Sequence, residues 1–153
     1  MPHYATTATD GSTLDSPSGG KPMSDIQAIT TLLEEYEQAL NQSDTEAVMK
    51  LYAADGIFMP QHFPSSVGVD AVRQAYRAVF GTIQLTVKFK IEEVHAVSSE
   101  WAFARTNSAG TVLVNATGGS SAEANQELFV LQKVEGQWKI ARYCFSTTNP
   151  PRA

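Results

Sequence analysis

The chain has 153 residues, a formal net charge of −5, 42% hydrophobic and 18% charged residues, which are ordinary figures for one globular domain with its own core. The acidic balance, without any Lys/Arg run, argues against nucleic acid or an anionic membrane as partner, since both favour basic surfaces. No apolar run approaches the roughly 20 residues of a membrane span, no signal-peptide layout opens the chain, and the single Cys144 cannot form an internal disulfide; the expected setting is a reducing cytoplasm.

Residues 1–23 are rich in Ser, Thr, Gly and Pro. Such a segment buries too little apolar surface to offset its ordering entropy, so it reads as a disordered extension ahead of a domain over 24–149. Ser24 with Gln27 forms a capping box. Ile29, Leu33, Tyr36 and Leu40 follow at helical spacing, and Asn41-Gln42 ends the helix. Ser43 with Glu46 predicts a second capped helix running through Val48, Leu51 and Tyr52. Asp55-Gly56 predicts a turn, and Ile57-Phe58-Met59 a short buried strand stopped by Pro60. Residues 61–68 read as a loop. Val69, Val72, Tyr76, Val79 and Phe80 make the stripe of a third helix, with Gly81 as its C′ residue.

From Ile83 the period changes to two. Ile83, Leu85, Val87, Phe89 and Ile91 alternate with polar residues, and the phase shift at Glu92-Glu93 predicts a bulge. Strands then follow over 101–114, 124–134 and 137–146, joined by a loop over 115–121 and a Glu135-Gly136 turn. Helices gathered ahead of a mainly antiparallel sheet predict an α+β layer fold.

Asp44-Thr45-Glu46-Ala47-Val48 through Leu51-Tyr52-Ala53-Ala54-Asp55-Gly56-Ile57-Phe58, together with Gly68-Val69-Asp70-Ala71-Val72-Arg73 and Gly136-Gln137-Trp138-Lys139-Ile140, resembles the nuclear-transport-factor-2-like superfamily. The nearest branch is the SnoaL-like, SgcJ/EcaC-type set associated with secondary metabolism. The resemblance implies a cystatin-like, cone-shaped roll: a curved sheet packed on three N-terminal helices around a small-molecule cavity. It also implies a homodimer through the outer sheet face. The superfamily holds isomerases, cyclases, dehydratases, epoxide hydrolases and non-catalytic association domains, so the fold leaves activity open.

No nucleophile elbow, P-loop, dinucleotide fingerprint or C-x-x-C motif is present, and His3, His62 and His95 lack metal-ligand spacing, so no metal or cofactor is expected. Three residues are candidates for chemistry. Arg105 sits mid-strand in a run of small and apolar residues; it either lines the interior, as an arginine of the kinase association domain does at what looks like the same place, or lies on the outer face. Glu127 on the next strand could meet Arg105 as an inward ion pair, or form an ordinary surface pair. His62 is a general acid or base at the cone mouth, or a solvated loop histidine. Tyr36, Gln61, Tyr76, Asn107, Asn125 and Tyr143 are the expected ligand contacts. The function expected is binding of, or catalysis on, a small apolar ketone- or polyketide-like ligand; the alternative is a non-catalytic binding or dimeric association module. An isomerase is not assigned, because no pair of carboxylates suits the base and oxyanion roles.

Overall fold

Ser24 opens the first helix as a reciprocal cap. Its hydroxyl accepts from the Gln27 amide at 3.2 Å and the Gln27 side chain accepts from the Ser24 amide at 3.4 Å, closing two orphan donors of the first turn. The computed structural model describes residues 24–149; the extension expected over 1–23 lies outside the described residues. The elements are α1 (Asp25–Asn41), α2 (Thr45–Met49), β1 (Tyr52–Met59), β2 (Ser66–Val67), α3 (Val69–Thr82), β3 (Ile83–Ala96), β4 (Trp101–Val114), β5 (Ser120–Val134) and β6 (Gln137–Thr147).

The strands form one six-stranded sheet in the order β2-β1-β6-β5-β4-β3. Only β1 and β6 run parallel. The three helices pack on one face, making the mixed α+β layer expected. The sheet is curved and does not close, and the expected bulge lies between Ile91 and Glu93.

Several boundaries differ from the sequence expectation. The cap of α2 is Asp44, whose side chain accepts from the Ala47 amide at 3.0 Å, while Ser43 takes a left-handed φ of 53°. The helix stops at Met49, and Leu51 and Tyr52 pass to the sheet, where the Leu51 carbonyl accepts from the Ile140 amide at 2.7 Å. Asp55-Gly56 is no turn: it lies inside β1, where the register against β6 shifts. Gly56 is needed there because a Cβ would stand 2.7 Å from Tyr52 Cδ1. Gly81 stays within α3, β2 forms inside the expected 61–68 loop, and β5 begins at Ser120 because the ladder continues to Leu113.

Curvature has a sequence cause. Ala102, Ala104, Thr106, Ser108 and Gly110 share one phase of β4, and the first four are buried. On a concave face side chains converge, so small residues leave room for large ones from neighbouring elements. At Gly110 the approach is extreme: a Cβ would lie 1.9 Å from the Thr86 carbonyl oxygen and 2.8 Å from Val87 Cα. Gly110→Ala is expected to lower stability by about 1–3 kcal/mol through forced backbone displacement, measured by urea unfolding. An unchanged midpoint would show that the bend does not require glycine.

Edge strand β3 is held by α1. Asn41 Nδ2 donates to the Val87 carbonyl and Asn41 Oδ1 accepts from the Val87 amide, both at 2.8 Å. One turn earlier, Glu37 Oε1 accepts from the Phe89 amide at 2.6 Å. At the other end of the helix, Asp25 Oδ1 accepts from Trp138 Nε1 at 3.0 Å and Lys133 Nζ at 3.1 Å.

Candidate functional site

The space that the resemblance assigns to a ligand holds a cluster of aromatic rings. Phe129 and Tyr143 face each other across the β5–β6 ladder and stack at 4.3 Å. Tyr36 of α1 meets them edge-on at 5.5 and 5.3 Å, and Phe58 of β1 lies 4.6 Å from Tyr76 of α3. Phe80, Phe89 and Phe145 are only partly buried at the margin of this cluster.

Three phenols are joined. The Tyr76 hydroxyl lies 2.7 Å from those of both Tyr36 and Tyr52, and all three residues are buried. Burial pushes each phenol pKa up, so each stays an O–H donor through the physiological range. Three hydroxyls carry three protons, and two hydrogen bonds use two of them. The buried Tyr143 hydroxyl couples to the Tyr36 end of this chain, and burial raises its pKa as well.

Beside the rings stands a carboxyl. Glu127 is 5% exposed and shares a strand face with Phe129. Directly across the ladder is Thr106. The Thr106 hydroxyl donates to Glu127 Oε1 at 2.7 Å and the Ser108 hydroxyl donates to Oε2 at 2.9 Å. Burial raises the Glu127 pKa to about 7, against the opposing pull of these two hydroxyls. Near neutral pH this group therefore supplies both an acid and a base form inside an apolar setting. Thr106, Ser108 and Glu127 are the buried polar or charged residues among those described.

The structure separates residues that the sequence reading joined. Arg105 does not meet Glu127. It lies opposite Leu128 on the other phase of β4, exposed, and its Nε donates to Glu93 Oε1. Asn107 shares that outer phase and donates to Glu92 Oε1 at 3.0 Å. The interior phase of β4 is the small-residue column, because the concave side has no room for an arginine. His62 is exposed on its loop, with a left-handed φ of 70° and its Nε2 2.7 Å from Gln61 Nε2. Gln61 Oε1 accepts from the Thr147 amide, tying the loop to the end of β6. Tyr36, Tyr76 and Tyr143 do converge inside, and Asn125 occupies the Glu127 phase of β5. Tyr52, Thr106 and Ser108 escaped the sequence reading. The phase that Thr106 and Ser108 share with Ala102 and Ala104 was the available signal. Among the described residues no cluster of three or more His, Cys, Asp or Glu side chains is placed to hold a metal ion.

The SnoaL-like domain matches residues 21–143. The chain belongs to the SnoaL-like domain family. A ketosteroid isomerase-like protein from Erwinia carotovora atroseptica is similar at 38% identity and a TM-score of 0.78, covering 80% of this chain and 95% of that one. A putative scytalone dehydratase from Novosphingobium aromaticivorans shares the fold at 21% identity and a TM-score of 0.70, covering 84% and 89%. A putative calcium/calmodulin dependent protein kinase II association domain from Xanthomonas campestris does so at 19% identity and 0.69, covering 99% and 100%. Among curated proteins none matches the chain. The nuclear-transport-factor-2-like and cystatin-like architecture recurs in further solved structures, and no helix among the described residues is long and apolar enough to cross a membrane.

Glu127 makes this SnoaL-like domain's stability depend on pH. Its folded pKa of about 7 stands above the ordinary 4.5. Between those values the folded state holds a proton that the unfolded state has lost, so stability is greatest below the unfolded pKa and falls as pH rises towards 7. The loss is at most roughly 3 kcal/mol. Thermal unfolding of wild type and Glu127→Gln at pH 5 and pH 8 tests this. The wild type should lose stability relative to the variant at pH 8, and parallel behaviour would contradict the buried-acid assignment.

Proposed function

We propose that this SnoaL-like domain binds a small, largely apolar carbonyl compound, ketone- or polyketide-like, and acts on it as an enzyme or as an enzyme's accessory in secondary metabolism. The observation that carries this reading is Glu127, a carboxyl poised near neutrality among aromatic rings. In its neutral form it can donate to a carbonyl oxygen, and a hydroxyl of the buried tyrosine cluster is the second donor we propose for the same developing charge. A ligand would enter beside the partly buried Phe89 and Phe145, displacing side chains of the cluster. The likeness to a ketosteroid isomerase-like protein supports carbonyl chemistry. A full isomerase cycle needs a separate base, and no second carboxylate is buried beside Glu127 among the described residues. The reaction proposed therefore centres on one carboxyl that exchanges a proton with the ligand. A reducing cytosol suits the free Cys144.

Turnover or binding of simple cyclic and aryl ketones tests the reading. Glu127→Ala should reduce turnover by about 10²–10⁴-fold, the usual range for loss of a general acid or base. Arg105→Ala, on the outer face, should leave it within about twofold. Activity that survives Glu127→Ala would remove this site.

A second reading, the association module, rests on the outer sheet face. Trp101, Leu128 and Met59 are 40%, 41% and 44% exposed there, an apolar surface of the kind that marks contact sites. The homodimer proposed through this face should sediment as a dimer at micromolar concentration, and Leu128→Glu should shift it to monomer. A monomeric wild type would eliminate the dimer.

A further inference from the structure

The polar wall that holds Glu127 continues along β5. Asn125 stands two residues earlier on the same face, directly across the ladder from Ser108. Its Nδ2 donates to Glu123 Oε1 at 3.0 Å. That bond fixes the amide on chemical grounds, because the reverse orientation would turn its carbonyl oxygen against a carboxylate. Oδ1 is thus the remaining end of the amide. It is buried, and nothing among the described residues donates to it. The Ser108 hydroxyl has one proton, and that proton is directed to Glu127. A buried acceptor left without a donor is unfavourable and uncommon in a folded protein. It stands on the same strand face as Glu127, the one buried carboxyl among the described residues.

The two groups differ in what they accept from a ligand. A neutral Glu127 offers a proton to a carbonyl oxygen, whereas Asn125 Oδ1 can only receive one. Two residues apart on one strand face, their Cα atoms are roughly 6–7 Å apart, the scale of a substituted six-membered ring. We propose that Asn125 is a specificity-determining residue, selecting ligands that carry an O–H or N–H donor across a ring from the carbonyl group that meets Glu127. The ligand class is then hydroxyaryl ketones and their hydroxylated cyclic relatives, not plain ketones. This inference rests on the carbonyl-binding reading of the same interior.

Calorimetric titration of the full chain with para-hydroxyacetophenone, acetophenone and para-fluoroacetophenone tests it. Wild type should bind the hydroxy compound about tenfold more tightly than the other two, the discrimination expected of one buried hydrogen bond. In Asn125→Leu the three should bind within about twofold of one another. The wild-type comparison stands even if the variant does not fold. Equal binding of all three by wild type, or a hydroxyl preference that persists in Asn125→Leu, would overturn the role of Asn125 while leaving carbonyl binding intact. Failure of wild type to bind any of the three would overturn the carbonyl-binding reading and this inference with it.

Discussion

The interior of this protein depends on a column of small side chains along the concave face of β4. Ala102, Ala104, Thr106, Ser108 and Gly110 occupy positions that would otherwise carry bulk, and the sheet bends over them. The bend lets rings from α1, α3, β1, β5 and β6 meet in one cluster. It also decides the polarity of the interior, because two members of the column carry hydroxyls that reach the same carboxyl. A larger residue in the column would crowd the rings, and an apolar one at 106 or 108 would leave a carboxyl oxygen without its donor.

Glu127 stands between two opposing influences. The apolar surroundings favour the protonated acid, and the two hydroxyls favour the carboxylate. The first is the larger, yet the result lies close to neutrality. The phenols beside it are pushed upward too, further from neutrality, and remain protonated donors. Within one buried cluster, a group able to change its protonation state therefore adjoins groups that are not. That division of labour is what the proposed carbonyl binding would draw on.

The architecture was legible because periodicity reports burial on long elements. The α1 stripe, the alternation of β3 and the phase shift at Glu92-Glu93 each encode a face directed at the core, and each forms as read. The boundaries of α2 and β1 were not legible. There Leu51, Tyr52 and Asp55-Gly56 follow helix and turn preferences locally, and the parallel pairing with β6, some ninety residues away in sequence, overrides them. The site was half legible. Tyrosines on helical stripes announced themselves, whereas β4 offered two alternating sets and the wrong one carried the conspicuous residue. Arg105 attracts notice because it is charged, but charge is easily accommodated on a convex face, where Glu93 lowers its cost. The informative residues were the inconspicuous threonine and serine, whose meaning depends on a cross-strand register that no single strand contains.

The bonds from Asn41 and Glu37 to Val87 and Phe89 fuse α1 to the rim of the sheet. Asp25 fastens the opposite end of the helix to the β5–β6 hairpin. Tyr36 is carried on this doubly anchored rod, so its hydroxyl is registered against Phe129 and Tyr143 as rigidly as if helix and sheet were one casting. The other wall is built differently. Across from α1, the segment between β1 and β2 is fastened to β6 by the Gln61–Thr147 contact and carries a non-glycine residue in the left-handed region at His62. One wall of the interior is thus held by a helix anchored at both ends, and the other by a short loop with a side-chain contact to β6.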